Sequence, residues 1–143
     1  MQPNDVRQVY ASGTAYTLTN TSTALDFGTT DPSVTLTQPG TYLIFSRANL
    51  KYTGATFAAS RTVTLKLSRT NNTAADVTNA TATFLTDIIT TLTYTAGIVQ
   101  LPPVLYTTSN DSDVITIKGD VSVVPTAGSL DVTAAEIIAV RLF

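Results

Sequence analysis

The chain has 143 residues, a net charge of -2 at pH 7, and neither cysteine nor histidine. Its length suits one domain with a hydrophobic core of its own. The missing cysteine excludes disulfides and thiolate metal sites, and the missing histidine removes the commonest general base. Because no basic stripe runs along the sequence, we expect no nucleic-acid partner.

Hydrophobic residues make up 43% of the chain, yet no apolar run approaches the ~20 residues of a membrane span. We therefore expect no membrane partner. Residues 1–5 lack the apolar centre of a secretory signal peptide and are expected to be flexible. If the domain lies outside a cell, we expect assembly into a virion followed by lysis to have taken it there.

Threonine is unusually abundant, at roughly one residue in five, while charged residues amount to only 13%. Threonine is β-branched, so it disfavours helices and suits a half-exposed pleated strand. A Thr-rich surface with few charges is typical of extracellular and virion β-proteins rather than of cytosolic enzymes.

Short turn signals such as Pro39-Gly40, Asn71-Asn72 and Ala127-Gly128 separate β-rich runs along the chain. This pattern predicts an all-β fold of two antiparallel sheets. The predicted strands cover residues 7–11, 15–19, 33–37, 42–52, 62–69, 81–94, 98–106, 114–123 and 131–143. No repeat, charge block or linker divides the chain, so we predict a single domain over residues 1–143, with a polar loop at 71–79.

The last predicted strand is apolar on both of its faces. By the two-residue period, one face carries Ile138, Val140 and Leu142, and the other carries Ile137, Ala139 and Phe143, interrupted by Arg141. A strand with one solvated face should instead alternate apolar and polar residues. Two interpretations stay open: a loop of the same chain covers the second face, or one face fills the core and the other contacts a partner subunit.

Several segments follow one another in an order known from other proteins. In the first of them, the turn Pro39-Gly40 leads through Thr41 into Tyr42 and a long apolar strand. The segments that carry the likeness are residues 34–45, 63–72, 110–117 and 135–143. Their order resembles that of the tumour-necrosis-factor/complement globular-head superfamily, although Ser112-Asp113 stands where that family has Gly-Asp.

The resemblance implies a TNF-like jelly-roll sandwich and a homotrimer whose inner sheets pack around a three-fold axis. Thr-rich, Cys-free versions of this domain are similar to those of phage virion proteins and bacterial surface filaments. The resemblance and the two-sided terminal strand together lead us to expect the trimer interface at Tyr42, Ile44, Ile137, Ala139, Arg141 and Phe143.

Four charged residues lie on the two strands expected to be central: Arg47, Lys51, Glu136 and Arg141. Charges in such places are costly unless they are paired or hydrated. Two interpretations are open for them. They face solvent at the strand ends, or they form an ion-paired polar layer along the three-fold axis that fixes the register of the subunits.

The segment Asn110-Asp111-Ser112-Asp113 is the one metal-like pattern, because alternate oxygen ligands on a loop suit Ca²⁺. The alternative is an ordinary turn whose Asx side chains bond the local backbone. We favour the turn and predict no metal and no cofactor, with Asp111 and Asp113 as weak candidates for a cation site.

The sequence also lacks a Gly-x-Ser-x-Gly elbow and a Gly-rich phosphate loop. We therefore predict that the protein is not an enzyme and has no catalytic residues. The sequence indicates a trimeric virion protein, either a phage capsid decoration protein or the tip domain of a head or tail fibre, with other virion proteins as partners. The alternatives are a bacterial surface or spore-coat trimer and a carbohydrate- or receptor-binding module, which would lie outside the cell or on its surface.

Overall fold

A computed structural model of the chain describes residues 5–86 and 92–143, except for the side chains of residues 85–96. Within these residues the chain forms nine strands and no helix. The strands are β1 (Val6–Thr17), β2 (Thr23–Ala24), β3 (Ser33–Leu36), β4 (Gly40–Thr56), β5 (Arg61–Arg69), β6 (Ala75–Thr86), β7 (Leu92–Thr108), β8 (Asp113–Val121) and β9 (Ala127–Arg141). The part described thus holds no helix of the length and apolarity that a membrane span requires.

The strands form two antiparallel sheets. Sheet 1 has the order β1-β9-β4-β7, and sheet 2 has the order β2-β8-β5-β6, with β3 also paired to β8. The chain passes from one sheet to the other between β1 and β2, β3 and β4, β4 and β5, β6 and β7, β7 and β8, and β8 and β9. Two facing sheets connected in this way form a jelly roll, which confirms the all-β, two-sheet fold predicted from the sequence.

Strand β4 shows why the sheets pack against each other. Its side chains alternate between the buried set that includes Tyr42, Ile44 and Leu50 and the partly exposed set that includes Leu43 and Arg47. Fully burying a large apolar side chain contributes ~1.5–3 kcal/mol. The inward set of β4 therefore favours close packing of sheet 1 on sheet 2.

Sheet 2 supplies the opposing half of the core. Val63, Leu65 and Leu67 alternate along β5, and Ile115 and Ile117 lie on the neighbouring strand β8, all of them fully buried. The core is therefore one apolar layer between the sheets, and the functional surfaces of the molecule must be sought on the outward faces and at the ends.

The predicted strands 7–11 and 15–19 are one strand, β1, with a register shift between Ser12 and Tyr16. Gly13 lies in this irregular stretch with φ of 145°. A Cβ at that position would come within 2.7 Å of the backbone carbonyl oxygen of Phe27. Glycine therefore allows a bulge and a close approach of two backbones where the sequence pattern indicated a turn.

Two further boundaries differ from the prediction. The polar loop expected at 71–79 is shorter, because β6 begins at Ala75 and pairs with Arg69 of β5. The predicted strand 81–94 crosses residues 87–91, which lie outside the described residues, and its described parts belong to β6 and β7. Residues 1–4 of the segment predicted to be flexible also lie outside the described residues.

Candidate interface on the outward face of sheet 1

Four of the six residues predicted for the trimer interface lie in the core of the domain and not on its surface. Tyr42, Ile44, Ile137 and Ala139 are all 0% exposed and belong to the core between the sheets. A two-residue period divides a strand into two sets of side chains, but it does not say which set faces the opposing sheet. Because both sets of β9 are apolar, the pattern could not decide, and the inward set was chosen in error.

The other two residues predicted for the interface lie at the end of β9. Arg141 donates a hydrogen bond from Nε to the carbonyl oxygen of Pro39 at 3.0 Å. Phe143 is 78% exposed, and its backbone carbonyl accepts a hydrogen bond from the Thr41 amide at 2.7 Å. Both residues thus lie beside the turn that enters β4, and their part in an interface stays a prediction.

The outward face of sheet 1 carries a group of partly exposed apolar side chains, which we call the apolar band. Its members, from all four strands, are Val6, Leu43, Phe45, Leu105, Ile138 and Val140. Val140 pairs in register with Val6 on one side and with Leu43 on the other. Leu43 in turn pairs with Leu105, so these four residues form one row across the sheet. Val6 is 55% and Leu105 62% exposed. A contiguous apolar surface of this kind is a mark of an interaction site.

A polar row crosses the same face beside the apolar band. Tyr10, Glu136, Arg47 and Gln100 are successive register partners on β1, β9, β4 and β7. The Nε of Arg47 donates to Oε1 of Glu136 at 3.0 Å, and Nε2 of Gln8 donates to Oε2 at 2.9 Å. The Gln8 hydrogen bond has the largest effect on the pKa of Glu136 and lowers it. Burial comes next and raises it, and the hydrogen bond and charge of Arg47 lower it again, so that the pKa lies below its ordinary value. Glu136 is therefore ionised and charge-compensated at neutral pH.

A shallow depression of about 250 Å³ lies where the apolar band meets the polar row. Its lining residues are Phe45, Ser46, Arg47, Gln100, Glu136 and Ile138. Among them Glu136 is the only carboxylate, and it already binds Arg47 and Gln8. The depression therefore offers apolar walls and hydrogen-bonding groups, but no free acid–base pair for catalysis.

Beyond the polar row the face is mixed, because Ile98 of β7, opposite Asn49, is 59% exposed, but its far end is hydrophilic. Asp131 accepts hydrogen bonds from the hydroxyl of Thr17 at 2.7 Å and from those of Thr53 and Ser129 at 3.0 Å. Lys51 is the register partner of Asp131 on β4. The outward face of sheet 1 thus changes along the strands from apolar, through an ion pair, to a hydroxyl-bonded carboxylate.

The carboxylate considered for Ca²⁺ is the centre of a buried hydrogen-bond network. Asp113 is 0% exposed and accepts hydrogen bonds from the Tyr106 hydroxyl at 2.7 Å and from Nδ2 of Asn72 and Asn110 at 2.9 and 3.0 Å. Nη1 of Arg69 lies 3.7 Å from its Oδ2. Because Tyr106 belongs to sheet 1 and Asp113 to sheet 2, the network ties the two sheets together.

Burial by itself would raise the pKa of Asp113, but hydrogen bonds led by those of Thr108 and Tyr106 outweigh burial and lower the pKa to about 2. Its oxygens are thus already occupied by protein donors. The other candidate, Asp111, is exposed. In residues 5–86 and 92–143 no three metal-ligating side chains come together. The geometry therefore supports the Asx-rich turn.

Of the charges considered for a polar layer, Arg47 and Glu136 do meet, whereas Lys51 lies opposite Asp131. The sequence pattern missed the contributions of the outer strands to this face, above all Tyr10 on β1 and Leu105 on β7. Both strands are edges of sheet 1, and their partners are distant in sequence, so no local signal places these residues beside the central strands.

The architecture defines a class of fold: a jelly roll of two antiparallel sheets, one of which exposes an apolar face. No family model matches the sequence, and no curated protein matches it. Among solved structures, the globular domain of zebrafish complement 1qA protein superposes with a TM-score of 0.53 at 10% identity, covering 99% of this chain and 98% of that one. The superposition therefore extends over the whole of both domains.

Viral particle proteins share the same fold. The structure of the infectious bursal disease virus Gx strain gives a TM-score of 0.56 at 11% identity and covers 98% of this chain but 32% of that one. The VP2 subviral particle of the same virus gives 0.51 at 10% identity and covers 96% of this chain but 33% of that one. The chain thus spans about a third of these viral chains. More particularly, its fold is a jelly roll like that of the complement globular domain, as the sequence predicted.

Proposed function

We propose that this protein is a non-enzymatic structural module of a phage virion, a capsid decoration protein or a head or tail fibre tip. It assembles as a homotrimer through the outward face of sheet 1. The observation that carries the proposal is the apolar band, which covers one end of a sheet face that sheet 2 does not reach.

The apolar band is poorly suited to a monomer in water. Its members come from all four strands of sheet 1, and its flanks at Val6 and Leu105 are more than half exposed. Each large side chain that a partner covers contributes up to ~1.5–3 kcal/mol. A few such side chains per copy offset the several kcal/mol lost in translational and rotational freedom on association.

A second copy of the same chain is the partner that suits this face. The face sets each cation beside an anion, Arg47 beside Glu136 and Lys51 opposite Asp131, so it is close to neutral and complementary to itself. Three copies around one axis cover all three faces and leave none open, so assembly stops at a closed particle rather than a filament. The superfamily that the sequence resembles also implies a trimer.

The virion assignment rests on a different set of observations. The fold is that of particle proteins of a virus as well as of a complement domain. The surface is Thr-rich and poor in charge, and the depression on the candidate face holds no free acid–base pair. These features support a protein that presents surfaces to other proteins rather than one that transforms a substrate.

The assembly is tested by placing a charge in the apolar band. Val140→Asp puts a carboxylate in the middle of the Val6–Val140–Leu43 row, and we expect light scattering to show a monomer where the wild type is a trimer. The matched control is Thr83→Asp, which adds the same charge on an exposed position of sheet 2 and should leave the trimer intact. A wild-type protein that is monomeric at micromolar concentration would contradict the proposal.

The virion role is tested separately, by the genes beside the one that encodes this chain. Capsid, portal or tail genes are expected there. Genes for a collagen-like stalk or a spore coat would instead support the bacterial surface trimer, while leaving the assembly through sheet 1 in place.

A further inference from the structure

The polar row holds donors and acceptors that one copy of the chain leaves unused. Arg47 is 42% exposed at its side chain and binds Glu136 through Nε alone. Within the described residues its two terminal nitrogens donate no hydrogen bond. The amide of Gln100 and the hydroxyl of Tyr10 also lack a hydrogen-bond partner there. A guanidinium has five N–H donors, so most of the hydrogen-bonding capacity of Arg47 is left for water or for a group outside the single chain.

These unused groups lie at one height on the strands. Tyr10, Glu136, Arg47 and Gln100 are register partners, so they form a line across all four strands of sheet 1. The next row along the strands is apolar at its centre, where Phe45 pairs with Ile138. The polar groups therefore form a narrow line across the strands. On the Phe45–Ile138 side of this line, the centre of the face is apolar.

We infer that the polar row pairs between copies as well as within one, and that it fixes the axial register of the trimer. The terminal nitrogens of Arg47 in one copy bind the Glu136 carboxylate and the Gln100 amide oxygen of the next. This inference rests on the proposed function, because it assumes that copies meet through the outward face of sheet 1.

Symmetry supplies the geometric reason. Copies related by a pure rotation keep each residue at the same height along the axis, so the polar row of one copy meets the polar row of the next. A slip of two residues, about 6–7 Å along a strand, would instead place Arg47 against the Phe45–Ile138 pair of its neighbour. There the terminal N–H groups of Arg47 would be buried without acceptors, although its Nε keeps the bond to Glu136 of its own copy. Buried donors without a partner are costly, so the slipped assembly is disfavoured.

Complementary charge reversals test the inference. Arg47→Glu gives a copy with two carboxylates in the row, and Glu136→Arg gives a copy with two guanidinium groups. Each variant alone is expected to raise the concentration at which the trimer half dissociates by at least about 100-fold. An equimolar mixture of the two should form mixed trimers, visible as intermediate masses in native mass spectrometry, at concentrations where neither variant assembles alone.

The double variant Arg47→Glu/Glu136→Arg is the control for folding, because it restores one cation and one anion in every copy. It should assemble within about tenfold of the wild type. Far-UV circular dichroism and the thermal midpoint of each single variant, measured as monomers, establish that the subunits are folded before assembly is compared.

The failures of the two proposals are distinguishable. If Val140→Asp dissociates the trimer while Arg47→Glu and Glu136→Arg assemble like the wild type, the polar row lies outside the contact and the inference is wrong, while the trimer stands. If both single variants dissociate but their mixture does not assemble, the ion pair acts only within one copy, and the pairing between copies is likewise refuted. A monomeric wild type would remove the proposed function itself.

Discussion

The outward faces of the two sheets follow the same alternation but carry different residues. On sheet 2, Thr83, Thr64 and Asp120 stand in one row, and Lys66 and Lys118 are register partners in the next. Such a face is compatible with water. The face of sheet 1 has the apolar band in the equivalent place. The inward-facing side chains of both sheets are apolar and build the same core, so the fold does not require the two outward faces to differ. The difference is best explained by what each outward face contacts.

The comparison also separates two kinds of hydrogen-bonded charge. The Asp113 network joins the sheets and is complete within one chain, because every contact it makes is internal. The Arg47–Glu136 pair lies on the open face and leaves donors unused. A charged group whose hydrogen bonds are all made within one chain indicates a role in stabilising the fold. Donors left unused on an apolar face indicate a role in association.

The largest expected effect comes from two neighbouring residues on opposite sides of sheet 1. Ile137→Ala removes a fully buried side chain and should lower the free energy of unfolding by ~2–5 kcal/mol. Ile138→Ala removes a side chain of the apolar band, and in the monomeric Val140→Asp background it should cost less than about 1 kcal/mol. In the wild-type background, however, Ile138→Ala should weaken the trimer. Denaturant unfolding and light scattering measure the two quantities.

An equal loss of monomer stability in both variants would break the comparison. It would mean that Ile138 is covered by an element of its own chain, and that the outward face of sheet 1 is as internal as the core.

Acid should weaken the link between the sheets by a smaller amount. The folded-state pKa of Asp113 is about 2, below its ordinary value. Its contribution to stability is therefore complete above pH ~4 and is lost as the pH falls towards 2, a loss of about 2 kcal/mol. Urea unfolding of the Val140→Asp monomer at pH 5, 4, 3 and 2 measures it. When Asp113→Asn is added to this variant, the free energy of unfolding at pH 5 should fall. The loss of stability that Asp113 causes towards pH 2 should then disappear.

An acid dependence that is unchanged by the Asp113→Asn substitution would assign the loss to other carboxylates. The Tyr106 hydroxyl would then link the sheets without an ionised partner. The network would contribute no more to the free energy of unfolding than its individual hydrogen bonds do.

The sequence predicted the fold well because its signals are local. Alternation in β4, the Pro39-Gly40 turn and the abundance of threonine each act within a few residues and agree with one another. The candidate interface was harder to predict, because it depends on which of two apolar sets faces sheet 2. Ile137 and Ile138 are chemically identical neighbours. Which of them is buried depends on the register of β9 against β4 and on the side of sheet 1 that sheet 2 covers.

The Asp113 network escaped prediction for a related reason. Its donors come from the β5–β6 turn, the end of β7 and the β7–β8 turn, which the sequence separates by up to 41 positions between Asn72 and Asp113. Asp111 and Asp113 look alike in the sequence as acids on a polar loop. Their environments differ completely, since one is exposed and the other is enclosed by long-range partners.

The smallest expected effect is a gain in stability inside sheet 1. Ser46 lies on the inward face of β4 between Ile137 and Leu101, and within the described residues its buried hydroxyl has no hydrogen-bond partner. An unmet hydroxyl in a core costs ~1–3 kcal/mol. Ser46→Ala should therefore raise the free energy of unfolding by about 1 kcal/mol after the small cavity is allowed for.

The matched control for Ser46→Ala lies on sheet 2. Ser68 is also buried, but its Oγ donates a hydrogen bond to the carbonyl of Ala75 at 3.2 Å. Ser68→Ala should therefore lower the free energy of unfolding by about 0.5–1.5 kcal/mol. Thermal unfolding of the two variants in the same background should give midpoints on opposite sides of that of the parent. If both variants are destabilised, Ser46 has a partner, such as a water in the neighbouring depression, and that depression reaches deeper into sheet 1 than its lining residues indicate.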